Sequence, residues 1–407
     1  MEFSGLTTGE RIRRRREARG MSRAVVAGLV GRSTDWLKKI ERDERQLRSL
    51  PLLLQLASVL GVSDLSELTG QGPLPVSAWA RVGHPAVPEI RRAMHEVSFG
   101  AVDSSHLTPD ELHHRVQAAW LLWHSSPRQR TEVGALLPDL IRQAHTCVRT
   151  NAGLERRRAG AAAGDLYRLV QRLLAHICEP ELHALAVERG RAMSEEADTP
   201  LARASATWSS AVSLCASGHY EDAVQLVNMG IDLLQPLVEN GSPQAMGIHG
   251  ALQLEAAAAF GLAGREGDAY RYLDAAEVTA RWLPAGYWHP QTAFERGNVQ
   301  ILSVIVNRCL RKTGTAISTA ARIDLPAVPS ALRRSRLLLE TAEALTDRRD
   351  FAAAVSNLGA AARISTEAVA LIPWARTLAD ELAASATGAE RRQATELAAR
   401  FNSVVLA

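Results

Sequence analysis

The sequence predicts an all-α protein with a small basic N-terminal head and a larger helical body. Alanine, leucine, arginine and glutamate dominate the 407 residues, a mixture that favours helices. No run of alternating β-branched residues is long enough to predict a sheet. Hydrophobic residues make up 46% of the chain and charged residues 22%, as expected for two or three globular domains with sizeable cores.

Charge divides the chain unevenly. Residues 1–50 hold 13 Lys or Arg and 7 Asp or Glu, whereas residues 51–407 hold 34 and 37. A basic segment joined to a mildly acidic body is typical of a nucleic-acid-binding module attached to another domain. A solvated charged face is the alternative interpretation.

Cysteine usage and hydropathy indicate a reducing compartment. The four cysteines are widely spaced and form no Cys-x-x-Cys pair, which argues against a disulfide framework or a zinc site. The arginine-rich N-terminus contains no apolar signal segment, and residues 50–62 are too short to span a bilayer. We therefore expect a cytoplasmic protein without a membrane anchor.

The first two helices of the head have clear start and stop signals. A basic helix ends at Gly20, a residue suited to the left-handed conformation after a helix. Ser22 is the predicted N-cap of a second helix of about two turns, which Gly31 ends. Met21 and Val26 form a hydrophobic staple at its start.

The third helix opens with short polar side chains. Ser33 caps it, and Leu37 and Ile40 are three residues apart and face inward. The first turn of a helix that enters the major groove must approach base edges, which bulky apolar residues would prevent. Two short helices joined by a glycine turn therefore predict a DNA-binding helix-turn-helix, roofed by two apolar helices in residues 47–70.

Residues 8–70 resemble the DNA-binding domain of the Xre family, the phage-repressor type. The matching segments are GERIR at 9–13, REARGMS at 16–22, Gly31, Leu37, IER at 40–42, and residues 56–57 and 60–62. The resemblance implies a five-helix domain that binds double-stranded DNA. It implies phosphate contacts from Arg23 and Ser33, base contacts from Thr34, Asp35 and Lys39, and a pair between Arg16 and Glu41.

Three positions depart from the family pattern. Arg15 replaces an aliphatic residue, which implies looser packing or an arginine stem that reaches the surface. Asp43 replaces a glycine, and aspartate tolerates the left-handed conformation less well. Asp35 either accepts from a cytosine amino group or stabilises the helix N-terminus. Trp36 either packs in the core or contacts a thymine methyl. The complete predicted DNA-binding set is Arg23, Ser33, Thr34, Asp35, Trp36, Lys38, Lys39 and Arg42.

A proline- and glycine-rich linker, residues 71–90, precedes a repetitive body, residues 91–407. GHYEDAV at 218–224 and GREGDAY at 264–270 share Gly-x-x-x-Asp-Ala, and RRDFAAAV at 348–355 is a fainter copy. Ala223 and Ala269 are 46 residues apart, and Ala269 and Ala353 are 84 apart, about two units. This spacing predicts an α-solenoid of helix pairs, and the pattern resembles degenerate tetratricopeptide repeats.

The combination of an Xre head and such repeats is similar to ligand-sensing regulators of Gram-positive bacteria. The resemblance implies a homodimer that binds an inverted-repeat operator and senses a signalling peptide or small molecule in its repeats. High alanine and arginine content is typical of GC-rich genomes and favours an actinobacterial source.

One body helix, residues 294–312, carries a narrow polar stripe on a largely apolar surface. Its members recur at spacings of four, three and four residues. Such a stripe must face water, a partner helix or a lined cavity. The predicted ligand site comprises this stripe, Arg296, Gln300, Ser303 and Asn307, and an aromatic lip, Trp282, Tyr287 and Trp288.

No motif predicts catalysis, a cofactor or a metal. There is no phosphate loop or Gly-x-Ser-x-Gly elbow, and the spaced glycines at 261–267 follow no predicted strand. We interpret His113, His114 and His124 as surface histidines, with metal binding as the alternative, because adjacent helical residues point about 100° apart. The main hypothesis is a ligand-controlled transcriptional regulator. A DNA-tethered scaffold for a partner protein and an enzyme fused to a DNA-binding head are the alternatives.

Overall fold

The protein is described by a computed structural model over residues 6–44, 47, 50–62, 65–70, 84–98, 107–175, 177 and 179–406. Two compact units divide the chain, Met1–Arg81 and Val82–Ala407. All regular structure in the described residues is helical, which confirms the predicted fold class.

The first unit, the head, has five helices around one apolar core. They are α1 Thr8–Ala18, α2 Arg23–Leu29, α3 Thr34–Glu41, α4 Leu50–Val59 and α5 Ser66–Thr69. Thr7 and Glu10 form a capping box at the start of α1. Ile12, Leu37 and Leu56 are fully buried, so α1, α3 and α4 share the core.

The second unit, the body, contains sixteen α-helices in the described residues. The bounds are α6 Val87–Ser98, α7 Pro109–Ser125, α8 Gln129–Thr150, α9 Gly153–Leu174, α10 Pro180–Ala197, α11 Pro200–Ala216, α12 Tyr220–Glu239, α13 Pro243–Ala263, α14 Glu266–Arg281, α15 Arg296–Cys309, α16 Thr313–Ala320, α17 Ala331–Asp347, α18 Phe351–Ile364, α19 Thr366–Ala370, α20 Pro373–Ser385 and α21 Gly388–Leu406.

Six of these helices form an inner ring. Helices α7, α9, α11, α13, α15 and α17 each pack on the next, and α17 packs back on α7. Helices α8, α10, α12, α14 and α16 form an outer layer, in which each helix packs on the two inner helices that precede and follow it. The body is therefore a solenoid of helix pairs whose first and last inner helices meet.

Hydrogen bonds between distant parts of the chain secure this closure. The His124 ring on α7 lies 2.9 Å, Nδ1 to Oγ, from Ser330, the N-cap of α17. The Thr131 N–H on α8 donates to the Glu367 carboxylate on α19 at 3.0 Å. The ring is therefore closed by contacts between helices that lie far apart in sequence.

The repeat motif marks the first turn of the outer helices. Ala223 on α12 and Ala269 on α14 are fully buried there. In the third copy the equivalent buried residue is Ala354, so the predicted alignment on Ala353, which is half-buried, was one residue out of register. A fourth copy, residues 311–317, was missed because its turn has no glycine. Arg311, with a φ of 62°, takes the left-handed position that Gly264 occupies with a φ of 76° in the earlier copy.

The linker, the cysteines and the lack of a membrane-spanning segment were also predicted from the sequence. Residues 71–83 of the predicted linker lie outside the described residues, and α6 starts within its last residues, at Val87. Cys147 and Cys215 are buried, Cys309 is half-buried and all three are free thiols, whereas Cys178 lies outside the described residues. Within the described residues, no helix is both long and apolar enough to cross a membrane.

The segment 282–295 packs across α13 and reaches α7. A Cβ at Gly250 would lie 1.9 Å from the Phe294 ring, so only glycine permits this approach. The Trp288 ring meets His124 edge-on, with centroids 5.4 Å apart. The long connection before α15 is thus a packed part of the ring.

Candidate functional site

The turn between α2 and α3 is built by two serine caps and one glycine. The Ser22 hydroxyl accepts from the Val25 N–H at 3.2 Å, and the Ser33 hydroxyl accepts from the Trp36 N–H at 3.1 Å. Gly31 has φ +65°, which favours glycine after α2. The two serine caps and the glycine, which were predicted from the sequence, determine where α3 starts and which residues form its first turn.

One face of α3 is polar and exposed. Leu37 and Ile40 are buried, as predicted, together with Trp36 and Glu41, and the opposite side of this short helix is exposed. The exposed predicted residues are Ser33, Thr34, Asp35, Lys38, Lys39 and Arg42. The structure therefore brings six of the eight predicted DNA-binding residues together on one surface, which we call the α3 face.

Trp36 and Asp35 have partners inside the head. Trp36 is 8% exposed and belongs to the apolar core, the packing alternative of the sequence interpretation. The Asp35 carboxylate lies 2.8 Å from Lys39 Nζ, one helical turn away. The hydrogen bond from Lys39 lowers the pKa of Asp35. Asp35 thus orients Lys39, a role that adds to the two considered from the sequence.

A buried carboxylate ties the first three helices together. Arg16 Nε donates to Glu41 Oε1 at 2.5 Å, the pair implied by the family resemblance. Arg23 Nε donates to the other oxygen of Glu41 at 2.6 Å, a contact that the sequence interpretation missed. The Glu41 side chain is fully buried, whereas 37% of the Arg23 side chain remains exposed. Arg23 therefore has a structural partner and still presents part of its guanidinium to solvent.

Asp43 and Arg15, two of the three positions that depart from the family pattern, have partners within the head. Asp43 adopts a φ of 56°, and its carboxylate accepts from the Gly9 N–H at 3.2 Å and from the Thr7 hydroxyl. The left-handed aspartate thus links the end of α3 to the start of α1. Arg15 pairs with Glu67 on α5, so its charge is compensated at the edge of the core.

The predicted polar stripe on α15 faces α14. The Tyr270 hydroxyl donates to Asn307 Oδ1 at 2.8 Å, and Asn307 Nδ2 donates to the Ser303 carbonyl at 2.8 Å. Arg296 pairs with Glu277 of α14 at 3.3 Å. Of the three options left open by the sequence, these contacts match the partner helix. Gln300 is exposed and, with Arg296, lines a cleft of about 250 Å³.

The three residues of the predicted aromatic lip differ in their exposure and contacts. Trp282 at the end of α14 is 59% exposed. Tyr287 and Trp288 are half-buried, and the Tyr287 hydroxyl is a buried group without a hydrogen-bond partner. Only Trp288 approaches the inner ring, through its contact with His124.

The histidines have different environments. His113 and His114 are exposed, as expected, but the assignment of His124 to the surface was wrong, because its ring is 4% exposed between α7 and α17. Burial lowers the pKa of His124 to about 3, so it is neutral in the native protein. In the described part of the chain, no group of three or more His, Cys, Asp or Glu side chains is placed to hold a metal ion.

Comparison with known families supports the geometry of the head. A family model described as a helix-turn-helix domain matches residues 8–68, which span α1 to α4 and all but the last residue of α5. A comparison with curated proteins finds no significant match. The head of this chain is a helix-turn-helix DNA-binding domain.

Proposed function

We propose that the chain is a sequence-specific transcriptional regulator of the Xre type, active as a homodimer on an inverted-repeat operator. The α3 face carries this proposal. It presents short hydroxyl and carboxylate groups at the start of the helix and the cations Lys38, Lys39 and Arg42 further along. Short groups approach base edges and cations bind phosphates, so one helix supplies both kinds of contact.

The body is proposed as the sensing and dimerising part of this regulator. Its helix pairs resemble tetratricopeptide repeats, and the inner side of its closed ring of helices is the surface on which a peptide or small molecule would be partly shielded from water. A ligand that binds one body conformation better than another shifts the population of the DNA-binding state. Control through the body requires no contact between the ligand and the head.

A scaffold function is the second candidate. Met229 and Leu233 lie one turn apart on α12 and are 60% and 38% exposed, and Val278 and Trp282 repeat this pattern on α14. Exposed apolar pairs favour a protein partner. Recovery of one defined partner with the purified full chain, together with DNA binding that is indifferent to small molecules, would favour this function.

DNA binding by the α3 face is testable by fluorescence anisotropy on a random-sequence duplex. Combined Lys38→Ala and Lys39→Ala substitution removes two exposed cations, so we expect weaker binding and a salt slope lower by up to about 2. Arg392→Ala, which removes an exposed arginine on α21, is the matched control and should leave both quantities unchanged. Equal losses in the two variants would contradict the assignment of DNA binding to α3.

A further inference from the structure

The connection between α14 and α15 contains a buried segment, residues 287–294, which we call the clasp. The connections from α10 to α14 are two or three residues long, whereas 14 residues separate α14 from α15. Long connections usually run over the surface. In the clasp, by contrast, His289 and each residue from Gln291 to Phe294 are buried. The clasp is therefore an element of the body's interior.

The clasp has a seat of two glycines on α13. A Cβ at Gly250 would lie 1.9 Å from the Phe294 ring, and a Cβ at Gly247 would lie 2.5 Å from the His289 ring. The Thr292 hydroxyl donates to the Gly247 carbonyl at 3.2 Å and accepts from the Phe294 N–H at 3.2 Å. Because both glycines lack a side chain, the backbone of the clasp lies close to α13.

The same segment reaches the first and last helices of the inner ring. The Gln291 carbonyl oxygen lies 3.4 Å from His124 Nε2 on α7, and the Gln291 side chain accepts from Arg168 on α9 at 3.5 Å. Arg333 Nη2 on α17 donates to the Thr292 carbonyl at 3.1 Å. The clasp thus joins α13 to both sides of the ring closure.

Polar contacts dominate the closure itself. In the described residues, the apolar cluster of α6 to α10 and that of α17 to α21 share no buried member, although Leu332 of α17 packs against the first. The Glu367 carboxylate on α19 accepts from the Arg130 and Thr131 N–H groups at 2.9 and 3.0 Å. Water replaces hydrogen bonds at little net cost, whereas exposure of an apolar core is costly. The closure is therefore the place where the ring opens most easily.

The closed clasp leaves polar groups unpaired and one residue strained. Arg168 Nε, Arg333 Nε and the Tyr287 hydroxyl are buried and have no hydrogen-bond partner in the part of the chain that the structure describes. Ala293 adopts a φ of 55°, a left-handed conformation that a residue with a Cβ rarely takes. Release of the clasp would hydrate the three polar groups and relax Ala293, so these features all favour release.

We propose that the clasp is a releasable lock of the ring. When it leaves its seat on α13, the contacts of α7 and α8 with α17 and α19 break and the body opens. The clasp and the closure then form one two-state element, of the kind whose equilibrium an effector shifts by binding one state better. This inference goes beyond the proposed function, because it holds whether or not the head binds DNA.

Native-state hydrogen exchange of the full chain without DNA tests the shared opening. The amides of Thr292 and Phe294 report on the clasp, and those of Arg130 and Thr131 report on the closure. We expect both pairs to give the same opening free energy and the same urea dependence, smaller than those of the slowest amides of α13. Different values for the two pairs, or exchange of both only through global unfolding, would overturn the proposal.

Two glycine variants on the same helix test whether the clasp holds the ring. Gly250→Ala overpacks the seat, so exchange of the clasp amides should become faster by about tenfold or more. Gly261→Ala is the matched control, because its added methyl meets Val306 at an ordinary 3.4 Å. Small-angle X-ray scattering should then show a larger radius of gyration for Gly250→Ala than for the wild type and Gly261→Ala.

A displaced loop without a locking role would exchange faster but leave the scattering unchanged, and that result would overturn the proposal. Clasp amides that stay protected in Gly250→Ala would also overturn it, because the seat would then not hold the clasp. Thr292→Val, which removes the hydroxyl bonded to Gly247, repeats the test if Gly250→Ala does not fold. None of these measurements contains DNA, so their failure leaves DNA binding by the α3 face intact.

Discussion

The head and the body place their charged groups in opposite ways. On the α3 face of the head, the cations Lys38, Lys39 and Arg42 are exposed, whereas the pair of Arg16 and Glu41 in the same domain is buried. In the body, Arg172 lies over the Trp208 ring and Arg333 donates to the Thr292 carbonyl, and in the part of the chain that the structure describes neither arginine forms an ion pair. Exposed charges attract a polyanion such as DNA at low desolvation cost but are screened by salt. Enclosed charges bind fewer ligands, at higher cost and with greater selectivity. The proposed DNA binding by the head depends on the exposed cations of α3.

The largest expected effect tests the buried ion pair of Arg16 and Glu41 in the head. Arg16→Ala leaves the buried Glu41 carboxylate with a single partner, and loss of a buried pair costs about 3–5 kcal/mol. We expect the head to unfold locally while the body keeps its protection from hydrogen exchange. Hydrogen-exchange mass spectrometry reads the two units separately. Arg13→Ala, which removes an exposed arginine of α1, should change little. Normal protection of residues 8–41 in Arg16→Ala would show that Glu41 does not need this partner.

Low pH should destabilise the body before the head, because the body buries neutral histidines. The described residues of the head contain no histidine, whereas burial lowers the pKa values of His124 and His289 in the body to about 3. A depressed histidine pKa means that the unfolded chain binds more protons, so stability falls as pH drops below about 6.5 and continues to fall towards 3. Each histidine contributes at most about 1.4 kcal/mol per pH unit. We expect exchange protection of the body to decrease first between pH 6 and 4. His124→Gln should reduce this pH dependence, and an unchanged pH dependence would contradict its burial as a neutral group.

A smaller effect distinguishes structural from ligand-binding roles on α15. Asn307→Ala leaves the Tyr270 hydroxyl without its acceptor and should lower the free energy of unfolding by about 1–3 kcal/mol. Gln300→Ala, at an exposed position of the same helix, should have almost no effect on unfolding. Urea denaturation of the ligand-free chain measures both. If Asn307→Ala unfolds normally but loses its response to an effector, the original ligand-site interpretation of the stripe would be supported instead.

Local features of the fold were predictable, because they depend on neighbours in sequence. The caps Ser22 and Ser33 and the inward positions Leu37 and Ile40 follow from helix rules and are confirmed. Closure of the ring was not predictable, because the contact between His124 and Ser330 joins residues more than 200 positions apart. The pairing of Arg23 with Glu41 was missed for the same reason, since the two residues lie on different helices and are separated in sequence.

The sequence specificity of the α3 face can be measured directly by selection from a pool of random duplexes with the full chain. Each recognition helix of a dimer reads one half-site, and half-sites lie about 10 base pairs apart on the same side of DNA. We predict enrichment of an inverted repeat with that spacing, and Lys39→Ala should reduce the preference for this repeat over random duplex without a loss of stability. Failure to enrich any sequence, with binding that depends only on salt, would contradict a sequence-specific regulator.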